Sequence, residues 1–68
     1  MNAYILTVLR KSKEPLSINE IKDAIFNEYY KIVEYDEVYR CLHKYIGGVY
    51  DKLPCGKRRY VYKLKELD

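Results

Sequence analysis

The order of hydrophobic and polar positions predicts three short helices followed by a β-hairpin. The first helix is expected over about residues 3–11, because Ile5, Val8 and Leu9 fall on one side of it. Asn2 precedes this segment and is a residue type favoured as an N-cap. Pro15 lies after the segment and favours a short extended link rather than a longer helix.

The second helix carries the clearest local signal in the chain. Ser17 lies three residues before Glu20, which is the spacing of a capping box, and the helix is expected to run to about residue 28. Ile18, Ile21 and Ile25 recur at the spacing of one helix face. This face is therefore predicted to pack on the core.

The third helix is expected over about residues 35–46, where two glycines end it. Val38, Leu42 and Tyr45 recur at a spacing of four and three residues and form the predicted buried stripe. The opposite side of the helix carries polar residues, namely Asp36, Arg40 and His43. Tyr39 and Lys44 lie at the borders between the two sides.

The last part of the chain predicts two strands joined by a tight turn. The segments 49–53 and 58–65 are rich in residues that favour strands. Between them, Leu53 to Gly56 suits a type I turn with Pro54 at its second position. Alternation along the second strand places four residues on the core side: Arg58, Tyr60, Tyr62 and Leu64.

Together these elements predict an α+β fold of three helices and a two-stranded hairpin, as one domain over residues 1–68. The predicted buried residues come from every element. They are Ile5, Leu9, Ile21, Ile25, Val38, Leu42, Tyr62 and Leu64.

Composition narrows the class of protein. No apolar run has the length of a membrane span, and the first residues lack the basic start and cleavage site of a secretion signal. We therefore expect a cytoplasmic protein without a membrane partner. The absence of Gln and Trp together with nine Tyr is similar to the composition of small DNA-binding proteins from hyperthermophilic archaea and their viruses. For a viral protein, the expected compartment is the host cytoplasm.

The chemistry-bearing residues do not predict an enzyme, a metal site or a cofactor. The single histidine has no nucleophile motif near it, and the chain has no phosphate-binding loop. Cys41 and His43 are two apart on a helix and point in different directions, so they cannot share a zinc ion. Cys41 is expected beside the core, and Cys55 is expected to lie free in a turn.

Charge is distributed unevenly along the chain. The formal net charge is +3, but the segment from Tyr39 to Lys65 holds eight Lys or Arg residues and only one acidic residue. Such a segment favours a surface that faces a polyanion. The candidate contacts lie on the third helix and in the hairpin turn: Arg40, His43, Lys44, Lys57, Arg58 and Arg59. An ordinary solvated helix face and an ordinary solvated turn remain the alternatives. The acidic start of the third helix counts against a DNA contact by that helix and favours the binding of another protein.

The order helix, extended link, helix, helix, hairpin resembles a winged helix-turn-helix. Regulators of that superfamily, including the ferric-uptake-type family, have opening helices similar to ILTVLRKSKEPLSINEIKDAI. PadR-type repressors have a third helix and a wing that resemble VYRCLHKY and GKRRYVYKL. The resemblance implies that the third helix enters a DNA major groove, with Tyr39 and Arg40 as contacts, and that residues 56–59 form the tip of a wing on the backbone.

The resulting hypothesis is a small transcriptional regulator that binds double-stranded DNA sequence-specifically. Two alternatives stay open, a winged helix that binds another protein and an architectural protein that binds DNA without sequence preference. A homodimer through the first helix is also predicted. In that helix Tyr4 and Leu6 add apolar side chains beside the core-facing ones, and such a helix is normally covered on all sides.

Overall fold

The computed structural model describes residues 2–65 and has three helices followed by a two-stranded antiparallel sheet. The elements in chain order are α1 Asn2–Lys11, α2 Ile18–Tyr29, α3 Tyr35–Lys44, β1 Tyr50–Pro54 and β2 Tyr60–Leu64. This arrangement confirms the predicted α+β architecture of three helices and a hairpin. Within the described residues, no helix is both long enough and apolar enough to cross a membrane.

The helix starts follow from local hydrogen bonding. The Ser17 hydroxyl accepts from the backbone N–H of Glu20 at 3.3 Å, and the Glu20 carboxylate accepts from the backbone N–H of Ser17 at 3.0 Å. This capping box confirms the predicted start of α2. At the start of α3, the Glu37 carboxylate likewise accepts from the backbone N–H of Glu34 at 3.4 Å.

One continuous hydrophobic core joins all the elements. Its buried residues are Ile5, Val8, Leu9, Ile18, Ile21, Ile25, Val33, Val38, Leu42, Tyr50 and Tyr62. Seven of the eight residues predicted to be buried are confirmed, whereas Leu64 is only half-buried, since it lies at the end of β2. Tyr45, which was expected in the stripe of α3, is also half-buried, because it follows the last residue of that helix.

Asn2 does not precede α1 as predicted but lies within it. Its side-chain oxygen accepts hydrogen bonds from the Tyr50 hydroxyl and, at 3.6 Å, from the Cys41 thiol. Tyr50 is fully buried, and this burial raises the pKa of its hydroxyl above the ordinary value. Because a buried hydroxyl needs a partner, Asn2 couples α1 to both α3 and β1.

The hairpin turn lies further along the chain than predicted. Leu53 and Pro54 belong to β1, where Pro54 pairs with Tyr60 at the end of the ladder, so the predicted turn over residues 53–56 is wrong. The loop instead covers residues 55–59, and the Cys55 N–H donates to the carbonyl of Arg59 at 2.8 Å. Proline is tolerated at this position because the end of an edge strand does not require its N–H.

The link between α1 and α2 joins the edge of the hairpin. Leu16 and Tyr62 exchange two backbone hydrogen bonds, of 2.9 Å and 2.7 Å, as an isolated antiparallel bridge. The first residues of α2 follow at once. The bridge therefore holds the start of α2 beside β2, and this placement forms one wall of the site described below.

Candidate functional site

A groove of about 660 Å³ opens between the start of α2, the outer side of α3 and the hairpin. Its volume is in the range of sites that hold small organic groups. The residues that line it are Ser17, Ile18, Asn19 and Glu20 of the α2 start, Tyr35 and Tyr39 of α3, and Lys52, Cys55, Arg58, Arg59, Tyr60, Val61 and Tyr62 of the hairpin. We refer to this surface as the tyrosine groove.

The floor of the tyrosine groove links α3 to β2. Tyr62 is buried, and its hydroxyl lies 3.1 Å from Nε2 of His43. The His43 ring also stacks on Tyr39, with 4.1 Å between the ring centroids and 26° between the planes. The His43 ring also meets the Tyr62 ring edge to face, with 5.9 Å between centroids. The contacts between His43 and Tyr62 therefore fix the distance between the helix and the hairpin.

The orientation predicted for His43 is wrong. It was expected to face outward with Asp36 and Arg40, but it is half-buried because the hairpin packs over this side of α3. Partial burial, assisted by the positive charge of Lys52, lowers the pKa of the His43 imidazole below its ordinary value. The neutral ring is therefore favoured in the folded protein.

Three tyrosines of the groove expose much of their rings. Tyr35, Tyr39 and Tyr60 are 46%, 44% and 46% exposed, whereas Tyr62 beneath them is 2% exposed. The ammonium group of Lys52 lies 4.1 Å from the ring centroid of Tyr60, a cation–π contact. The walls of the groove thus combine exposed aromatic rings with a positive charge.

The charges that line the groove favour an anion. Lys52, Arg58 and Arg59 are all exposed, and the acidic residue among the described lining residues is Glu20. The Glu20 carboxylate accepts a hydrogen bond from the backbone N–H of Ser17 within the capping box, and this bond partly offsets its negative charge. Asp36 and Glu37 are exposed on the first turn of α3 and carry negative charge on the same helix as the tyrosine wall.

The structure brings together some of the predicted site residues. Tyr39, Arg58 and Arg59 line the tyrosine groove. His43 contacts its floor through Tyr62. The other three, Arg40, Lys44 and Lys57, are exposed but do not line it.

Sequence reasoning missed Tyr35, Lys52 and Tyr60 as groove residues. Tyr60 was assigned to the core because it shares a strand face with Tyr62, but the core ends before it. Lys52 lies two residues after the buried Tyr50 and therefore shares its strand face. Alternation along β1 was the available signal for Lys52, because it places this lysine on the inner face of the hairpin.

The described residues contain no cluster of three or more His, Cys, Asp or Glu side chains that could hold a metal ion. Cys41 is half-buried beside the core and Cys55 is exposed in the loop, as predicted. Burial raises the pKa of the Cys41 thiol. This thiol therefore stays protonated and packs as a small apolar group.

The sides of α1 that motivated the homodimer contact the same chain. The Tyr4 ring lies 4.7 Å from that of Tyr29 between centroids. Leu6 is half-buried and lines a cavity of about 240 Å³ with Val49 and Leu64. The homodimer through α1 thus stays a prediction to which this packing adds no support.

Comparison of the chain with protein-family models, with curated proteins and with solved structures gave no match. A functional assignment therefore rests on the geometry, exposure and charge of the tyrosine groove. The combination to be explained is a set of exposed aromatic rings beside three cationic side chains on a surface shared by a helix and a hairpin.

Proposed function

We propose that the chain is a winged-helix domain that binds double-stranded DNA and acts as a small transcriptional regulator. In this proposal α3 approaches the major groove and the hairpin, as the wing, follows the backbone. The observation that carries it is the tyrosine groove, in which Lys52, Arg58 and Arg59 lie on the hairpin opposite the outer side of α3.

Phosphate contacts would supply most of the affinity. Lys and Arg side chains that neutralise phosphates release condensed counterions, and this gain does not depend on base sequence. Lys57, Arg58 and Arg59 are consecutive and exposed in the hairpin loop, so the chain can place all three against one backbone. The exposed cations of the hairpin are therefore assigned to the backbone.

Sequence preference would come from α3. Arg40 and Lys44 are exposed on this helix, and an arginine can make two hydrogen bonds to a guanine edge. His43 contributes indirectly, since its Nε2 is engaged with the Tyr62 hydroxyl. It holds α3 at a fixed distance from the hairpin, which sets the span between the base and backbone contacts.

A second function, binding of another protein, is favoured by an apolar surface elsewhere. Phe26, Tyr30 and Ile32 are 45%, 83% and 81% exposed near the end of α2. Exposed apolar groups that lie close together are typical of protein contacts. An architectural role on DNA differs from the regulator in one respect, because it needs the cations of the hairpin but no base contacts from α3.

The experiment compares two triple alanine variants that carry the same change in charge. One replaces Lys52, Arg58 and Arg59, and the matched control replaces Arg10, Lys13 and Lys31, none of which lines the groove. Affinity for duplex DNA is measured by fluorescence anisotropy at low salt. We expect the groove variant to lose roughly 100-fold or more in affinity and the control to lose far less.

Equal losses in the two variants would show that only the total charge matters and would contradict the assignment of the groove. A duplex affinity too weak to detect at low salt would favour the protein-binding function instead. Selection from random duplexes distinguishes the regulator from the architectural protein, because only the regulator enriches a sequence.

A further inference from the structure

We propose that the tyrosine groove binds unpaired bases, so that the preferred ligand is DNA in which one strand leaves the duplex. The inference rests on the proposed function for the adjoining duplex and names the part of the ligand that enters the groove. It is carried by the exposed rings of Tyr35, Tyr39 and Tyr60, against which the internal bases of a paired duplex cannot stack.

These rings are not required by the core. Tyr50 and Tyr62 are buried at 0% and 2% exposure and fill the interior of the hairpin side. The three groove tyrosines instead leave nearly half of their surface in water, at 46%, 44% and 46%. Exposed aromatic surface that lies together in a concave site is the usual form of a ligand surface.

Two of the rings are in contact with a neighbouring side chain. His43 stacks on Tyr39 at 4.1 Å between centroids, and Lys52 lies 4.1 Å from the centroid of Tyr60. Each contact fixes a ring before a ligand arrives. Stacking a base on such a ring costs the protein less side-chain conformational entropy than stacking it on a mobile side chain would.

The surrounding charge suits a strand rather than an isolated base. Arg58 and Arg59 line the same groove and are exposed, so they can contact the phosphates on either side of a stacked base. Aromatic platforms beside cationic groups are how proteins bind single strands with little sequence preference. Within a paired duplex both faces of each internal base are already stacked, so this surface adds affinity only at an end, an overhang or an unpaired strand.

The first experiment compares the wild-type chain on a blunt duplex and on the same duplex with a thymidine overhang, in both polarities. One stacked base is worth roughly 5- to 150-fold in affinity, so the overhanging duplex of one polarity should bind more tightly by that factor. A 2-aminopurine placed at the first unpaired position should also lose fluorescence on binding, because stacking quenches it. This second readout needs no variant.

Variants then test which residues are responsible. Tyr60→Leu and Tyr35→Leu should lower the ratio of overhang affinity to blunt affinity, whereas Tyr60→Phe and Tyr35→Phe keep the ring and should keep the ratio. Tyr30→Leu is the matched control, because Tyr30 is 83% exposed but lies outside the groove. It should leave the ratio unchanged.

The outcomes separate this inference from the proposed function. Equal affinity for blunt and overhanging duplexes, or an overhang advantage that survives both leucine variants, would overturn the groove as a base-binding site while duplex binding stands. If the chain binds the overhanging duplex and a single strand but not the blunt duplex, the inference stands and the duplex-binding function is overturned. If the phenylalanine variants lose the preference for the overhanging duplex, the hydroxyl groups rather than the rings are responsible, and the inference is overturned.

Discussion

Arg58 has a backbone conformation that an arginine adopts only at a cost. It lies in the hairpin loop at a φ of 58°, in the left-handed region, where Asn and Gly are the usual residues. The cost is of order 1–2 kcal/mol for an ordinary side chain. A strained residue that also lines the candidate site suggests that the charge of Arg58 is kept for function rather than for stability.

Two substitutions at Arg58 separate strain from charge. Arg58→Asn and Arg58→Ala both remove the guanidinium, but Asn adopts the left-handed conformation at a lower energetic cost than Ala. We expect Arg58→Asn to exceed Arg58→Ala in free energy of unfolding by about 0.5–1 kcal/mol, measured in urea. Both should weaken duplex binding to the same extent. Unequal binding, or equal stability, would contradict the assignment of strain and charge to this residue.

At the scale of elements, the contact between His43 and Tyr62 couples α3 to the hairpin and predicts a pH dependence of stability. Burial and the charge of Lys52 lower the folded-state pKa of His43, so the unfolded chain binds the proton more readily. The contribution of His43 to the free energy of unfolding is then fully present above its unfolded-state pKa of about 6.5. It is lost as the pH falls through the lower folded-state pKa.

The measurement is urea unfolding at about pH 7.5 and about pH 5.5, where carboxylates are still largely ionised. The free energy of unfolding should be lower at the acidic pH in the wild type. In His43→Gln this difference should shrink, because glutamine does not titrate. A wild-type stability that is unchanged or higher at the acidic pH would contradict the pKa assignment.

The helices and the start of α2 could be predicted from sequence because their signals are local. A capping box needs only Ser17 and Glu20, and an amphipathic stripe needs only the spacing of residues within one helix. The position of the hairpin turn could not be predicted in the same way. It depends on which residues of β1 and β2 pair, and the pairing of Pro54 with Tyr60 moved the loop to residues 55–59.

The tyrosine groove was less predictable than the elements that form it. Tyr60 and Tyr62 share a strand face, so alternation alone assigns them the same environment. Only the packed structure shows that the core reaches Tyr62 and ends before Tyr60. Lys52 and Tyr35 reach the groove from separate elements, and their proximity depends on tertiary packing that no local pattern encodes.

At the scale of the whole molecule, the fold brings together positive charges that the small net charge does not reveal. The formal net charge is only +3, yet residues 39–65 carry a net +7, whereas the rest of the chain carries a net −4. The hairpin places three of these cations on the groove, and Arg40, Lys44 and Lys57 lie exposed on α3 and in the hairpin loop. A polyanion that extends from the groove over α3 and the hairpin loop would therefore meet up to six cationic side chains.

The salt dependence of duplex binding tests this account most directly. If three to six of these side chains neutralise phosphates, the logarithm of the association constant should fall linearly with the logarithm of salt concentration, with a slope of roughly −3 to −5. The affinity of the wild-type chain for one duplex is measured across a salt series by fluorescence anisotropy. A slope near zero, or no binding at the lowest salt, would contradict the assignment of this surface to DNA.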